Sequence, residues 1–501
     1  MPALLPTSVM DRMRTGLMKT SLWMAGCGAA LVLGSAPLHA ETLRDALIAA
    51  YQTNPTLNAA RAQQRATDEG VPIALADGRP SSQVQAQYSE NFLNPANAFT
   101  APDRSVSGTI NLTVPIYSGG SVRNAINASK VRVEAGQADL RGTEATVFSN
   151  VVAAYMDVIR DEAIVGLQRQ NVEVLDVNLQ ASSDRFEIGD LTRTDVAQSE
   201  ARLAIARTDL QTAEANLIRS KETYIQLVGQ APGTLEPPPP LPNLPAAPDV
   251  AVATALDSNP DLEAARERVK AADFDVRSAR GTRMPQVSLF SQGNYQNFLG
   301  TLGSALIQGN FVQQQSSAAA GVQLTVPVYQ GGRPGAQIRR AQAVSGQAME
   351  QEIAVERSII AQVRAAYASF NASMQVIDSS QKAVEANTLA LEGVRAENSV
   401  GNRTILDILD AERELLNAQV QLVTARRNAY VAGFTLLAAM GRAEARDLGL
   451  DGGLLYDPEL NYERVRDKIN DWDSQPNPVA QSTRTVDSPA QNAALIGPPN
   501  Q

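Results

Sequence analysis

Hydrophobic positions along this chain follow two periods, and these periods recur in the same order in each half. A helical spacing covers residues 41–76 and again 249–280, and a strand-like alternation of apolar and polar residues follows each stretch. After a Gly-Gly pair, each half continues in helical spacing for about 65 residues, turns near Gly189 or Gly401, and returns as a helix of about 37 residues. Each half is therefore predicted to form a helix, a β-hairpin, a long helix and a return helix.

The alternating stretches predict two strands in each half, each with an apolar face and a face of Gln, Ser, Thr and Asn. The apolar positions of the four strands are Val84, Ala86 and Tyr88; Val106, Gly108, Ile110, Leu112 and Val114; Val287 and Leu289; and Ala318, Ala320, Val322, Leu324 and Val326. Because successive side chains of a strand point to opposite faces, this alternation gives each hairpin one uncharged face.

The two halves are a tandem duplication. The segment Asn-Pro-x-Leu at 54–57 recurs at 259–262, and Thr-Val-Pro-[IV]-Tyr-x-Gly-Gly at 113–120 recurs at 325–332. The second offset holds through Gly229 and Gly441, which is too long a register for chance. We expect repeats at 41–230 and 249–447, joined by a stiff Pro-rich linker at 231–248. A C-terminal extension, 448–501, is predicted to be disordered from about residue 474 because it is rich in Pro, Asn, Gln and Ser.

The predicted helix lengths exclude an ordinary compact domain. A helix of about 65 residues is roughly 100 Å long, which indicates a coiled-coil-like or tubular assembly. In each repeat, the first helix and the return helix together match the long helix, so they are expected to stack end to end beside it. The turns at Gly189 and Gly401 then lie at one end of the rods, and the hairpins lie at the other.

Four strands per chain restrict how the hairpins meet lipid. A membrane barrel needs about eight strands at minimum, and an open sheet edge in lipid leaves backbone groups unpaired at several kcal/mol each. Several chains must therefore combine their strands if these contact a bilayer, and three chains would supply twelve. A soluble β-sandwich appendage is the alternative interpretation of the same strands.

Residues 1–40 are interpreted as a secretory signal peptide. Lys19 precedes a nearly uncharged apolar stretch, and Ala40 offers a small residue at the cleavage site. The alternatives are a single membrane anchor and a lipidated Cys27. Cys27 and His39 are the only cysteine and histidine in the sequence, so the cleaved chain has no disulfide, Ser-His triad, thiol nucleophile or Cys/His zinc site. The net charge of −10 argues against nucleic-acid binding.

Over residues 41–447, these duplicated motifs resemble the TolC family of outer-membrane efflux and secretion ducts. The segment Gly-Asn-Arg-Thr-Ile-Leu-Asp-Ile-Leu-Asp at 401–410 carries the resemblance further. The resemblance implies a mixed α and β fold: a homotrimer whose twelve-stranded transmembrane β-barrel, four strands per chain, lies in the outer membrane. A long α-helical barrel then continues into the periplasm. It also implies docking to a periplasmic adaptor and to an inner-membrane transporter of ABC or RND type.

The resemblance places a gate at the periplasmic tip. Asp407 and Asp410 occupy the positions of two inward-facing aspartates, and their spacing of three puts both on one face of a helix. Three chains would form two stacked carboxylate rings that attract cations and titrate as coupled groups. The alternative interpretation is an ordinary solvated helix face.

Arg403 matches the arginine of the family's gate, and Thr194 and Asp195 match its partners on the neighbouring hairpin. An arginine held by a carboxylate and a hydroxyl is a suitable latch, while an ordinary surface charge is the alternative. The family often has an aromatic residue where this chain has Asn398, so half of the expected latch is missing. By resemblance, the tips at Gly189 and Gly401 would dock the adaptor; the alternative is two turns without a partner.

The sequence thus predicts a passive exit duct of a tripartite efflux pump or type I secretion system. No enzyme activity, cofactor or metal site is expected. A trimeric structural coiled coil at the surface or in the periplasm is the main alternative, but it does not account for duplicated hairpins. A periplasmic adaptor would need a lipoyl-like domain, and a glycoside hydrolase would need carboxylates that flank a sugar. Drug efflux and protein secretion share this architecture, so the cargo is not specified.

Overall fold

A computed structural model describes residues 40–93, 101–242, 244–303, 311–450 and 455–495. The predicted signal peptide therefore lies outside the described residues, except for Ala40. The first repeat contains α1 (Leu43–Thr53), α2 (Pro55–Asp68), α3 (Gly70–Ala76), β1 (Ser81–Glu90), β2 (Arg104–Tyr117), α4 (Ser121–Glu187) and α5 (Arg193–Val228). The second contains α6 (Pro248–Ser258), α7 (Pro260–Gly281), β3 (Gln286–Asn297), β4 (Gln314–Thr325), α8 (Arg333–Ser399) and α9 (Ile405–Ala439), followed by the short α10 (Pro458–Val465).

The long helices have the same length in both repeats. α4 and α8 each contain 67 residues, and the return helices α5 and α9 contain 36 and 35. At 1.5 Å per residue, each long helix spans roughly 100 Å. α4 packs against α5 and α7, while α8 packs against α9 and α7, so α7 contacts both long helices. No helix in the described ranges has an apolar stretch long enough to traverse a bilayer.

The duplicated Asn-Pro motif joins the first helices to the return helices. Asn54 caps α2 through its side-chain oxygen, and its amide donates to the carbonyl of Leu227 near the end of α5, at 2.9 Å. Asn259 caps α7 in the same way and donates to the carbonyl of Ala439 at the end of α9, also at 2.9 Å. In each repeat, one asparagine side chain therefore binds backbone groups that lack a partner within their own helix: N–H groups at the start of one helix and a carbonyl at the end of another. This contact produces the predicted end-to-end arrangement in both repeats.

The four strands form one antiparallel sheet in the order β1-β2-β3-β4, so β2 and β3 join the two repeats. The register pairs Val84 with Ile110 and Leu289 with Val322, which places the predicted apolar positions on a common face. That face is uncovered within one chain: Val84 is 73% exposed and Val322 67%. Within the described residues, β1 and β4 each have a single neighbouring strand.

The main core lies around the middle of α4, where the two repeats and their connections meet. Phe148, Tyr155 and Tyr224 are fully buried there. The Tyr155 hydroxyl shares its one hydrogen between the carbonyl of Glu41, at 2.9 Å, and that of Glu236 in the linker. The corresponding tyrosine of the second repeat, Tyr367, donates to the carbonyl of Ala246 at 2.9 Å. The duplicated tyrosines thus anchor the chain where it enters each repeat.

The C-terminal segment lies along the first repeat rather than away from it. The Lys221 side chain of α5 is 1% exposed. Its Nζ donates to the carbonyl of Ala494 at 2.8 Å and lies 3.6 Å from Glu162 Oε1. Arg169 donates to the carbonyl of Ala493 at 2.9 Å. A buried ammonium requires such partners, so the tail completes the environment of Lys221.

A different connection covers the matching place on the second repeat. The counterpart of Lys221 is Gly433 of α9. A Cβ atom at Gly433 would lie 2.7 Å from Cδ1 of Leu241 in the linker and 3.3 Å from the ring of Phe370. The linker therefore lies over α9, while the tail lies over α5. We call these two connections the linker strap (231–248) and the tail strap (482–495).

We expect removal of residues 482–501 to destabilise the middle of the rods. Hydrogen bonds to charged groups contribute about 1.5–3 kcal/mol each to stability. After truncation, water would restore only part of this free energy at Lys221 and Arg169. The thermal unfolding midpoint should fall, and amide hydrogen exchange should quicken in the facing parts of α4 and α5. Truncation after Leu495 is the matched control. Equal midpoints for the two truncations would show that the tail does not hold this position in solution, as its composition predicts.

Candidate functional site at the helical tips

Two short turns form the tips where the long helices reverse. α4 ends at Glu187 and α5 begins at Arg193; α8 ends at Ser399 and α9 begins at Ile405. Gly189 has a φ of +83° and Gly401 a φ of +81°, which confirms the left-handed conformation expected of these glycines. Nothing lies within 4 Å of a Cβ built at either position. Both turns are therefore open to solvent in the single chain.

The predicted aspartates begin the return helices. Asp407 accepts from the backbone N–H and the hydroxyl of Thr404 at 2.9 and 2.8 Å, and its own N–H returns to that hydroxyl. Asp195 forms the same capping box with Thr192. The sequence signal for both boxes is Thr-x-x-Asp at a helix start. This capping role was not among the predictions for Asp407 and Asp195.

Capping keeps these carboxylates charged. The backbone N–H and hydroxyl of Thr404 hold the pKa of Asp407 below its usual value, and Arg403 contributes in the same direction. The corresponding groups of Thr192 lower the pKa of Asp195. Donors that favour the ionised form explain both shifts. Negative charge at each helix N-terminus also suits the helix dipole.

Arg403 is held within its own hairpin. Its Nε lies 2.7 Å from Glu397 Oε2, and its Nη1 lies 3.9 Å from Asp407 Oδ1. The bond to Glu397 raises the pKa of Arg403. Among the described residues of one chain, the structure does not bring Arg403 to Thr194 or Asp195.

Asn398 has a structural role in the turn. Its side-chain amide donates to the carbonyl of Arg403 at 2.7 Å. Asn398 therefore closes the α8–α9 turn across its two ends. Among the described residues, the hydrogen bond of this side chain stays inside the hairpin.

Asp410 faces the other repeat. Its Oδ1 lies 2.8 Å from Nη2 of Arg202 on α5, and the two side chains are 46% and 28% exposed. Arg202 is not among the site residues predicted from the sequence. The two residues are 208 positions apart, and no local pattern reports that α5 and α9 approach each other there.

Two residues further along α9, Glu412 also joins the repeats. Its carboxylate accepts from Asn178 of α4 at 3.1 Å and from Arg395 of α8 at 3.0 Å. Below these contacts lies a small apolar cluster of buried residues: Leu175, Leu203, Ala206 and Leu409. Across the described ranges, no group of three or more His, Cys, Asp or Glu side chains is placed to hold a metal ion.

Comparison with known proteins identifies the family. Residues 47–230 and 251–442 match the family described as Outer membrane efflux protein. The chain is 34% identical over 440 residues to outer membrane efflux protein BepC of Brucella suis, covering 87% of this chain and 93% of BepC. It is 25% identical over 483 residues to outer membrane protein TolC of Escherichia coli, covering 91% and 95%.

Solved structures agree on the fold. The outer membrane protein VceC from Vibrio cholerae superposes with a TM-score of 0.67 at 24% identity, over 80% of this chain and 96% of VceC. The predicted mixed fold, mostly helical with a four-stranded antiparallel sheet, is confirmed at the level of one chain. The chain therefore belongs to the outer membrane efflux protein (TolC) family, whose members are outer-membrane channels and not enzymes.

Proposed function

We propose that this protein is the exit duct of a tripartite efflux pump or a type I secretion system. Substrates would pass from an inner-membrane transporter of ABC or RND type, through a periplasmic adaptor, to the exterior. The observation that carries the proposal is the four-stranded sheet with an uncovered apolar face, set on helices roughly 100 Å long. The alternative function, a structural coiled coil, does not account for a sheet of this kind.

The open edges of the sheet support a homotrimer. β1 and β4 are the edge strands within the described residues, and an open edge is not viable in lipid. Three chains, each supplying the strands of repeats 41–230 and 249–447, would close a barrel of twelve strands. The exposed face with Val84, Val322 and Leu324 then contacts outer-membrane lipid, and the polar face lines the lumen.

The tips would form the periplasmic gate. Asp407 and Asp410 lie within one helical turn, and three copies would build two carboxylate rings at the narrow end of the helical barrel. Capping fixes the position of Asp407, and its lowered pKa keeps it charged. The open turns at Gly189 and Gly401 are the surfaces offered to the adaptor, because no other part of the described chain covers them.

The proposal is tested first on the assembly. Outer-membrane fractions should contain a trimer that dissociates only on heating, and the purified trimer should form channels in planar bilayers. Crosslinking followed by co-purification should recover an adaptor and an inner-membrane transporter. A water-soluble monomer that needs no detergent would contradict the whole assignment.

Neutralising the predicted rings should change ion selectivity. Channels carrying Asp407→Asn and Asp410→Asn together should lose cation preference and block by multivalent cations in planar bilayers, because the carboxylates that attract cations are gone. Asp378→Asn on α8, an exposed acid paired with Lys382, is the control for loss of a surface charge. Selectivity equal to that of the unaltered channel would remove both aspartates from the pore.

Replacing Arg403 with serine should raise the resting conductance. The substitution breaks the ion pairs to Glu397 and Asp407 and any contact to Thr194 and Asp195 of a neighbouring hairpin. Arg185→Ser on the other tip is matched, because Arg185 pairs with Asp190 at 2.6 Å across the first turn. If the two variants conduct alike at rest, Arg403 is no latch.

A further inference from the structure

The ion pair of Arg202 and Asp410 differs from the other ion pairs near the tips. Arg185 pairs with Asp190 within the first hairpin, and Arg403 pairs with Glu397 within the second. The pair of Arg202 and Asp410 instead runs from α5 of the first repeat to α9 of the second, at 2.8 Å. It therefore connects the hairpin of the first repeat to the hairpin of the second.

Glu412 forms a second polar contact between the two repeats. It is 8% exposed and accepts from Asn178 of α4, in the first repeat, at 3.1 Å. Arg395, in the second repeat, compensates its charge at 3.0 Å. Within three residues, α9 is thus attached to both helices of the first repeat: through Asp410 to α5, and through Glu412 to α4.

The ion pair lies beside an apolar cluster and fixes the register of α5 against α9. Leu203 and Leu409, the chain neighbours of Arg202 and Asp410, are 3% and 2% exposed in the same apolar cluster. Apolar packing brings α5 and α9 together without fixing their register. The ion pair specifies which residues meet, although its side chains are partly exposed and salt screens part of their attraction.

We propose that Arg202 and Asp410, supported by Asn178 and Glu412, form an intrachain lock that holds the tip of α9 against the first repeat and keeps the gate at rest. Asn398 and Arg403, by contrast, are engaged within their own turn, so these contacts of the described chain do not join the two repeats. The proposal rests on the duct function and on a gate at these tips. Arg202 is a positioning residue: it acts through Asp410.

The lock also determines how much of the Asp410 charge the pore experiences. One oxygen of Asp410 is bound to a guanidinium, whereas Asp407 is bound mainly by neutral donors. At rest, the Asp407 ring therefore carries most of the cation attraction. Breaking the pair both frees α9 and exposes an additional carboxylate, so opening and a stronger preference for cations occur together.

The test is a set of Arg202 and Asp410 variants measured in planar bilayers. Arg202→Gln should raise the resting conductance about two- to fivefold, as expected for loss of a partly exposed ion pair, and should also increase cation preference. Arg202→Lys should stay close to the unaltered channel. Asp410→Asn should raise the resting conductance, and the double variant should add little to either single change, because both remove the same interaction.

The matched control is Arg207→Gln, which breaks the 3.0 Å pair to Asp176 between α5 and α4 within the first repeat. It should leave resting conductance unchanged.

If Arg202→Gln alters cation preference but not resting conductance, Asp410 is a pore charge and the lock does not exist. If the Asp407 and Asp410 variants change selectivity while Arg202→Gln changes nothing, the lock fails and the duct stands. Trimers in which no variant at these positions affects conduction would instead overturn the gate assignment itself.

Discussion

Unpaired backbone groups at the edges of a four-stranded sheet are the constraint on which this structure depends. A strand edge in lipid cannot be satisfied by water, and the sheet of the described residues has two edges, β1 and β4. Its apolar face is equally unsuited to water. In the assembly proposed above, several chains would pair edge to edge and so remove both problems.

Much of this architecture is encoded locally and could be predicted. The alternation of Val106, Ile110 and Val114 sets the face of β2, and the register with β3 preserves it. Helix ends follow from Thr-x-x-Asp boxes and from the Asn-Pro motif. The glycines of the tips adopt the expected positive φ. In each case the physical cause lies within a few residues of its effect.

The missed features have causes that are distant in sequence. Arg202 meets Asp410 only because α5 and α9 converge at the tips. Two contacts of the tail strap, those to Lys221 and Arg169, use the backbone carbonyls of Ala494 and Ala493. Every residue has such a carbonyl, so these contacts leave no trace in the composition. Arg403 illustrates the opposite case. Its identity is recognisable from the motif, but its partner in one chain, Glu397, follows from the shape of a tight turn.

The two straps make the duplicated halves interdependent. The connection that leaves the first half lies on the return helix of the second, and the segment that leaves the second half lies on the return helix of the first. A gene split at the linker would thus produce two polypeptides, each lacking a covering that the other encodes. Lys221 and its counterpart Gly433 show that the surfaces have since diverged, one to receive polar carbonyls and the other a leucine. Neither half could now be duplicated alone to rebuild a symmetric chain.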